Sequence, residues 1–133
     1  MFIRIIKNED TTFNDGFEII AKRFGKEIGF LQINYISDCE YSIDSFRIKN
    51  DYRNKGIGRK MLNSAIKRLK ELNVIKLSVY PYSDPYEGDP FMEDSLLYKI
   101  YKHLGFKTVS IKRELIVEGE PDCSDGKMIL RLE

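Results

Sequence analysis

The sequence predicts a single α/β domain over residues 1–133, built on a mixed sheet with a parallel centre and two flanking helices. Apolar strand patterns fill most of the first fifty residues. Two amphipathic helix patterns follow, and each of them precedes a further strand pattern. Because a helix must cross over between neighbouring parallel strands, this order indicates parallel pairing in the middle of the sheet. A chain of 133 residues can bury a core of its own as one domain.

Four strand patterns occupy the N-terminal half of the chain. They cover residues 2–6, 17–24, 28–35 and 40–48. The Gly-Lys turn at residues 25–26 joins the second and third patterns as a hairpin. These strands are therefore predicted to form the antiparallel half of the sheet.

The spacing of apolar residues changes to three or four over residues 57–72, which predicts an amphipathic helix with Lys and Arg between the apolar positions. A strand is predicted at residues 74–80. Residues 81–93 hold three of the four prolines and are predicted to form a long loop.

The last third of the chain contains the second helix pattern. It begins at Asp94 or Ser95, either of which can cap a helix, and it ends at Gly105. Two strands are predicted after it, at residues 106–117 and 127–132, with a polar connection between them.

Charge and composition exclude several classes of protein. Lys and Arg number 22 against 21 Asp and Glu, so a net charge of +1 creates no global field that would attract nucleic acid or a membrane. The N-terminal apolar run is interrupted by Arg4 and is too short for a signal peptide or a membrane span, so we expect a cytoplasmic protein. Cys39 and Cys123 lie far apart and His103 is the only histidine. This pattern argues against a structural zinc site and against a Cys–His catalytic pair.

The most informative stretch lies between the fourth strand and the first helix, where Gly56 and Gly58 occur. Glycines at a helix start let the backbone approach a ligand, and the free N–H groups of the first turn suit a pyrophosphate. A plain helix entry with a tight turn explains the glycines alone equally well. A Walker A loop is excluded because Arg59 and Lys60 follow, and a Rossmann fingerprint because Met61 replaces its third small residue.

Residues 53–58, Arg-Asn-Lys-Gly-Ile-Gly, resemble the acetyl-coenzyme A signature of the Gcn5-related N-acetyltransferase (GNAT) family: Arg or Gln, two residues, Gly, one residue, then Gly or Ala. Residues 101–106, Tyr-Lys-His-Leu-Gly-Phe, resemble the family's second signature, in which a Tyr near a helix end precedes Leu-Gly-Phe. Both signatures stand in the right order on the right elements, and the resemblance covers residues 17–132. In its short N-terminus and acidic loop the chain also resembles compact phage-type members of the family.

The resemblance implies a GNAT-like fold with acetyl-coenzyme A as cosubstrate. The family has two helices between its first two strands, whereas this chain has only residues 8–16 there, so the N-terminal helices are reduced or absent. Asp94 stands where the family often has an Asn on the cofactor. The residues that the resemblance places on the cofactor are Phe46, Arg47, Ile48, Arg53, Asn54, Lys55, Gly56, Ile57, Gly58, Arg59 and Asp94.

Acetyl transfer to an amine needs a base, because an amine with a pKa of about 10.4 is almost fully protonated at pH 7. Strand alternation predicts that Glu40 and Asp44 share the face that carries Phe46, which makes Asp44 the first candidate base and Glu40 the second, directly or through a water. An ordinary solvated carboxylate is the alternative for each. The resemblance implies that Tyr101 is the general acid. Tyr98, one turn earlier in the helix, is the alternative acid. Tyr101 could instead be an aromatic residue of the core without a catalytic role.

The predicted loop at residues 81–93 is acidic, and the sequence has no Lys or Arg between Lys76 and Lys99. Its carboxylates and aromatic rings favour a cationic acceptor, such as a protein lysine, an N-terminus or a polyamine. Tyr82, Glu87 and Asp89 are the candidate substrate-binding residues. The alternative is a solvated loop whose charges serve solubility and do not bind a substrate.

The sequence is also compatible with a protein of another class, a non-catalytic acyl-coenzyme A-binding or protein-interaction module on the same fold. Such a module needs neither a base at Asp44 nor an acid at Tyr101, so the presence of both favours an enzyme. The sequence does not distinguish a monomer from a homodimer.

Overall fold

The computed structural model describes residues 2–9, 15–109 and 126–133, and these form a seven-stranded sheet in the order β1-β2-β3-β4-β5-β7-β6. The strands are β1 (Arg4–Asn8), β2 (Phe17–Arg23), β3 (Lys26–Tyr35), β4 (Glu40–Ile48), β5 (Lys76–Val79), β6 (Lys107–Thr108) and β7 (Met128–Arg131). The helices are α1 (Ile57–Glu71) and α2 (Asp94–His103), and a single 3₁₀ turn, Asn50–Tyr52, precedes α1.

Strand pairing confirms the predicted mixed sheet. The first four strands form an antiparallel meander, with β2 and β3 joined as the expected hairpin. β4 and β5 are parallel, and α1 is the crossover between them. β7 pairs antiparallel with both β5 and β6. The parallel centre of the described sheet is therefore one pair of strands.

The core lies between the sheet and the two helices, on what we call the helix face. α1 buries Met61, Leu62, Ala65 and Leu69 against β2 and β3. The approach is close at Gly29, where a Cβ would lie only 2.8 Å from the sulfur of Met61. The apolar stripe predicted for this helix is thus the surface that it buries.

A β-bulge at Asp44 changes which side chains of β4 reach the helix face. Gln32 of β3 pairs with Ser45 while the next residue pairs with Ile43, so Asp44 has no partner of its own on β3. Before the bulge the odd-numbered residues enter the core, and after it Phe46 and Ile48 pack against α1. Glu40 and Asp44 lie on the opposite side of the sheet, so the prediction that both share a face with Phe46 and Ile48 is wrong.

Several element boundaries differ from the predicted ones. β5 begins at Lys76, and α2 has Glu93 as its N-cap residue without a side-chain capping bond, although Asp94 or Ser95 was expected to cap it. The strand predicted to run to residue 117 lies mostly outside the described residues, as does Cys123. None of the described helices has the length and apolar character needed to cross a membrane.

Residues 81–93, which we call the long loop, fold over the opposite side of the sheet, the outer face. Asp84 accepts a hydrogen bond of 2.6 Å from Ser45 of β4. The hydroxyl of Tyr86 donates to Glu27 of β3, and its ring lies 5.0 Å from the guanidinium carbon of Arg47. The loop therefore covers part of the outer face beside β3 and β4.

Candidate active site

The stretch between β4 and α1, residues 53–58, is shaped as an anion-binding loop, which we call the phosphate loop. Asn54 and Gly56 have positive φ angles of 61° and 79°. The N–H of Lys60 makes the first intrahelical bond, to the Gly56 carbonyl at 3.2 Å. The N–H groups of residues 57–59 therefore precede the helical ladder and are available to an anion at the positive end of the helix.

The two glycines of the loop serve different purposes. Gly56 caps α1 in a left-handed conformation, and a Cβ there would meet nothing within 4 Å, so the backbone is open to a ligand. At Gly58 a Cβ would lie 3.1 Å from Ile48 and 3.5 Å from Phe46. Gly58 is thus required for the close packing of α1 on β4, whereas Gly56 leaves room for whatever the loop binds.

A cavity of about 520 Å³, the cofactor cavity, extends from the phosphate loop between α1, α2 and the long loop. Most of the residues predicted to bind the cofactor line it; they are Phe46, Arg47, Ile48, Arg53, Asn54, Gly56, Gly58 and Arg59. Three predicted residues do not line it. Lys55 and Asp94 are exposed outside it, and the side chain of Ile57 is buried in the core.

Cationic side chains surround the mouth of this cavity. Arg59 of α1 donates to the carbonyl of His103 at 3.5 Å, which links the two helices. Arg53 donates to the Ile48 carbonyl at 3.2 Å and to the Pro90 carbonyl of the long loop at 3.4 Å. Lys99 also lines the cavity. His103 and Lys99 were not predicted as site residues, since nothing in the sequence marks which face of α2 meets α1.

Tyr101 is placed at the inner wall of the cofactor cavity. Its ring lies 6.5 Å from that of Phe46 and 5.3 Å from that of Phe106, measured between centroids. Burial raises the pKa of its hydroxyl, so the proton stays on the oxygen at neutral pH. The alternative, Tyr98, is not a lining residue, and its hydroxyl lies against Gly126 instead.

β4 and β5 are paired over only part of β4, and we call the unpaired part between them the gap. The parallel pairing covers only Glu40–Ile43 with Lys76–Val79, so the rest of β4 is open on its β5 side. The hydroxyl of Tyr82 donates to the Asp44 carbonyl at 2.5 Å, at the bulge. Tyr82 lines both the cofactor cavity and a second cavity of about 300 Å³, the outer cavity. Asp44 is exposed and lines the outer cavity.

Glu40 also lines the outer cavity, but in a different setting from Asp44. Its carboxylate accepts a hydrogen bond of 2.8 Å from Ser78 and forms ion pairs with Lys127 at 3.2 Å and Lys76 at 3.4 Å. Burial acts to raise the pKa of Glu40, but the Ser78 hydrogen bond and the lysine ammonium groups outweigh it and lower the pKa. A carboxylate held ionised by three donors is a poor proton acceptor.

Two of the four carboxylates of the long loop have partners within the protein. Asp89 accepts a hydrogen bond from the N–H of Asn50 at 3.0 Å, and Asp84 contacts Arg47 as well as Ser45. Glu87 is exposed. Asp84, Ser45 and Lys127 were not predicted as site residues, and no motif could have marked them because their partners lie far away in sequence.

A splayed mixed sheet with an anion loop at the start of its crossover helix defines a coenzyme A-binding acyltransferase fold. The chain matches the model of the acetyltransferase (GNAT) family over residues 3–86. The chain therefore belongs to the acetyltransferase (GNAT) family, and membership makes it an acetyltransferase with acetyl-coenzyme A as cosubstrate. The predicted family is confirmed, and the matched range includes the first of the two signatures.

Solved structures are similar in fold. A GNAT-family acetyltransferase from Staphylococcus aureus Mu50 has 18% identity and a TM-score of 0.64 over 89% of this chain and 68% of that chain. The PaiA N-acetyltransferase from Thermoplasma acidophilum, solved with coenzyme A, has 21% identity and a TM-score of 0.64. The alignment covers 86% of this chain and only 59% of PaiA. An IAA acetyltransferase from Bacillus cereus ATCC 14579 has 19% identity, 98% coverage of both chains and a TM-score of 0.63. No curated protein sequence matches the chain.

The residues around the cofactor cavity fit coenzyme A. The open space at Gly56 and the free N–H groups at the start of α1 suit a pyrophosphate. The open edge of β4 offers backbone groups to an extended amide-containing arm. Within the described part of the chain the Nε atom of Arg47 is buried without a hydrogen-bond partner, and Arg47 lines this same cavity.

Proposed function

We propose that the chain transfers an acetyl group from acetyl-coenzyme A to an amine by direct attack of the amine on the thioester. The observation that carries this proposal is the arrangement around the bulge of β4. The cofactor cavity brings the phosphate loop and Tyr101 together on one side, and Asp44 lies on the other side across Tyr82. A cosubstrate and an amine can therefore approach the gap between β4 and β5 from opposite faces.

Asp44 is the group we assign to the ammonium of the acceptor. An aliphatic amine with a pKa of about 10.4 has only about one neutral molecule in a few thousand at pH 7, so its proton must be removed before attack. Asp44 is exposed at the end of the outer cavity next to Tyr82 and is free to accept that proton directly or through a water. Glu40, the second candidate, is better suited to a positioning role because Ser78 and two lysines hold its carboxylate.

Tyr101 is the group we assign to the leaving sulfur. As the bond from nitrogen to the acetyl carbon forms and the carbon–sulfur bond breaks, the sulfur gains negative charge and finally a proton. The raised pKa of Tyr101 keeps its proton in place at neutral pH, so the hydroxyl can donate to the sulfur as the charge develops. The backbone N–H groups near Arg47 and Ile48, on the open part of β4, are candidates to polarise the thioester oxygen.

The acceptor we propose carries an ammonium group, as a protein lysine, an N-terminus or a polyamine does. Asp44 and the rings of Tyr80 and Tyr82 around the outer cavity support this. Glu87 and Glu93 are the exposed carboxylates of the long loop and line neither cavity, whereas Asp89 serves Asn50. The long loop therefore contacts the acceptor through Tyr82, and Glu87 acts on it through charge alone.

The test is release of free thiol from acetyl-coenzyme A in the presence of a panel of amines, with Asp44→Asn and Asp38→Asn as paired variants. Both aspartates are exposed, but only Asp44 lines the outer cavity. We expect Asp44→Asn to move the acidic limb of the rate profile to higher pH, because the amine must then lose its proton to solvent, while Asp38→Asn leaves it in place. Tight acetyl-coenzyme A binding without thiol release for any amine would instead identify a non-catalytic binding module.

A further inference from the structure

The outer cavity contains a charged group at each end. Its lining combines carboxylates, one ammonium group, and aromatic or aliphatic side chains; the residues that matter here are Ile36, Glu40, Asp44, Tyr80, Tyr82 and Lys127. Asp44 and Tyr82 mark the end next to the gap in the sheet, where the acetyl group would be transferred. Glu40 and Lys127 mark the other end.

The charge at the far end is positive among the described residues. One carboxylate, Glu40, is shared by two ammonium groups, Lys76 and Lys127, so the three side chains together carry one unit of positive charge. Ser78 donates a neutral hydrogen bond to the same carboxylate and does not alter this balance. Among the described residues this cluster can therefore accommodate an anion beside Lys127.

Lys127 is the member of this cluster that can meet a ligand. It lines the outer cavity, which Lys76 does not, and its side chain is 24% exposed. An ammonium group has three N–H donors. One contact goes to Glu40 at 3.2 Å, so Lys127 retains donor capacity for a second carboxylate while Glu40 holds it in place.

The distance along β4 sets the length of a ligand that would reach both ends. Glu40 and Asp44 are four residues apart, roughly 13 Å in an extended strand, and the bulge and the side chains shorten this span. The ammonium and carboxylate of a simple α-amino acid are too close together to reach both ends. An amine with an anion several bonds away is of the right size.

Resting on the acetyl transfer proposed above, we infer that Lys127, held by Glu40, binds a carboxylate or similar anion of the acceptor. The acceptor is then a zwitterion whose reacting ammonium lies at Asp44 and whose anionic group lies at Lys127. Ile36 and Tyr80 provide apolar surface for the chain between the two charges. Lys127 is in this reading a specificity-determining residue, and Glu40 is its positioning residue.

The experiment compares two probes of equal chain length, 6-aminohexanoate and hexylamine, as acceptors for the wild-type enzyme, Lys127→Met and Lys76→Met. The Lys76→Met variant is the matched control because it removes the other lysine on Glu40 without changing the lining of the outer cavity. We expect wild type to prefer 6-aminohexanoate about tenfold in kcat/KM and Lys127→Met to lose the preference. Lys76→Met removes a charge but no donor that lines the cavity, so it should keep a smaller preference. An absent preference in wild type, or one that survives in Lys127→Met, overturns the inference.

Binding of the same probes, followed by NMR titration without acetyl-coenzyme A, separates this inference from the proposed transfer. Selective binding of 6-aminohexanoate that is lost in Lys127→Met supports the anion site, whether or not thiol is released. If this selective binding occurs without thiol release, acetyl transfer to such amines is refuted while the anion site stands. Equal binding of hexylamine, or no binding of either probe, refutes the anion site whatever the rate of thiol release.

Discussion

On the helix face, the anion-binding part of the cofactor side is one run of six residues, the phosphate loop, at the start of α1. On the outer face, the acceptor side draws its side chains from β4, β5, the long loop and the residue before β7. Local geometry around Gly56 and Asn54 shapes the first region, whereas contacts between distant segments shape the second. A locally encoded site is sufficient for a cosubstrate that a whole family shares. A site assembled from distant segments can vary with the acceptor.

The largest expected effect concerns the cofactor side. Gly56→Val places a β-branched side chain at a φ of 79° and into the open space beside the phosphate loop, so we expect it to abolish coenzyme A binding measured by calorimetry. Gly25→Val is the matched control, because Gly25 has a φ of 76° and equally open surroundings in the β2–β3 turn. Equal loss of binding in both variants would show that backbone strain, and not the phosphate loop, is responsible.

The next effect concerns the boundary between the two regions. Tyr101→Phe removes one hydroxyl from the wall of the cofactor cavity and should lower kcat by roughly tenfold to a thousandfold with little change in coenzyme A affinity. Because burial raises the pKa of Tyr101, we expect no fall in the wild-type rate from its ionisation near neutral pH. Tyr98→Phe is the control, and a similar loss of rate in that variant would remove the special role of Tyr101.

A smaller effect is expected on stability at the outer face. The folded-state pKa of Glu40 lies below its usual value, so the ionised carboxylate stabilises the fold at neutral pH and this contribution is lost as pH falls through that folded-state pKa. Glu40→Gln should therefore reduce the free energy of unfolding by on the order of 1–3 kcal/mol at pH 7 and flatten its decline in acid. Glu71→Gln is the control, because Glu71 forms only a partly exposed ion pair with Arg68. It should change the free energy of unfolding by at most about a few tenths of 1 kcal/mol and leave the decline in acid unaltered.

The smallest effects separate two carboxylates of the long loop. Glu87→Gln should raise the KM for a cationic peptide or polyamine a few-fold at low salt, and the increase should shrink as salt screens the charge. Asp89→Ala should instead weaken acetyl-coenzyme A binding, because it removes the oxygen that accepts the N–H of Asn50 just before the phosphate loop. If Asp89→Ala changes only the KM of the acceptor, the result supports the substrate-binding role that the sequence predicted.

Much of the cofactor side could be predicted from sequence alone. The glycines of the phosphate loop, the amphipathic stripe of α1 and the Tyr101–Phe106 segment are local patterns, because a turn, a cap or a helix face depends on residues close together in the chain. The seven-stranded mixed sheet also follows from the order of such patterns. The sequence does not distinguish the roles of Gly56 and Gly58. The structure does, because a Cβ at Gly58 would lie 3.1 Å from Ile48, whereas a Cβ at Gly56 would meet nothing within 4 Å.

The acceptor side was decided by tertiary structure. A single extra residue at Asp44 turns Glu40 away from the face that alternation predicted, since strand side chains alternate with a period of two only while the pairing is regular. Lys127 lies 87 residues after Glu40 in the chain, and no local pattern indicates that the two meet. Short-range patterns in the sequence specify the strands, the helices and the phosphate loop. Which charges surround the acceptor depended on long-range strand pairing, because only that pairing brings β4, the long loop and the residue before β7 together.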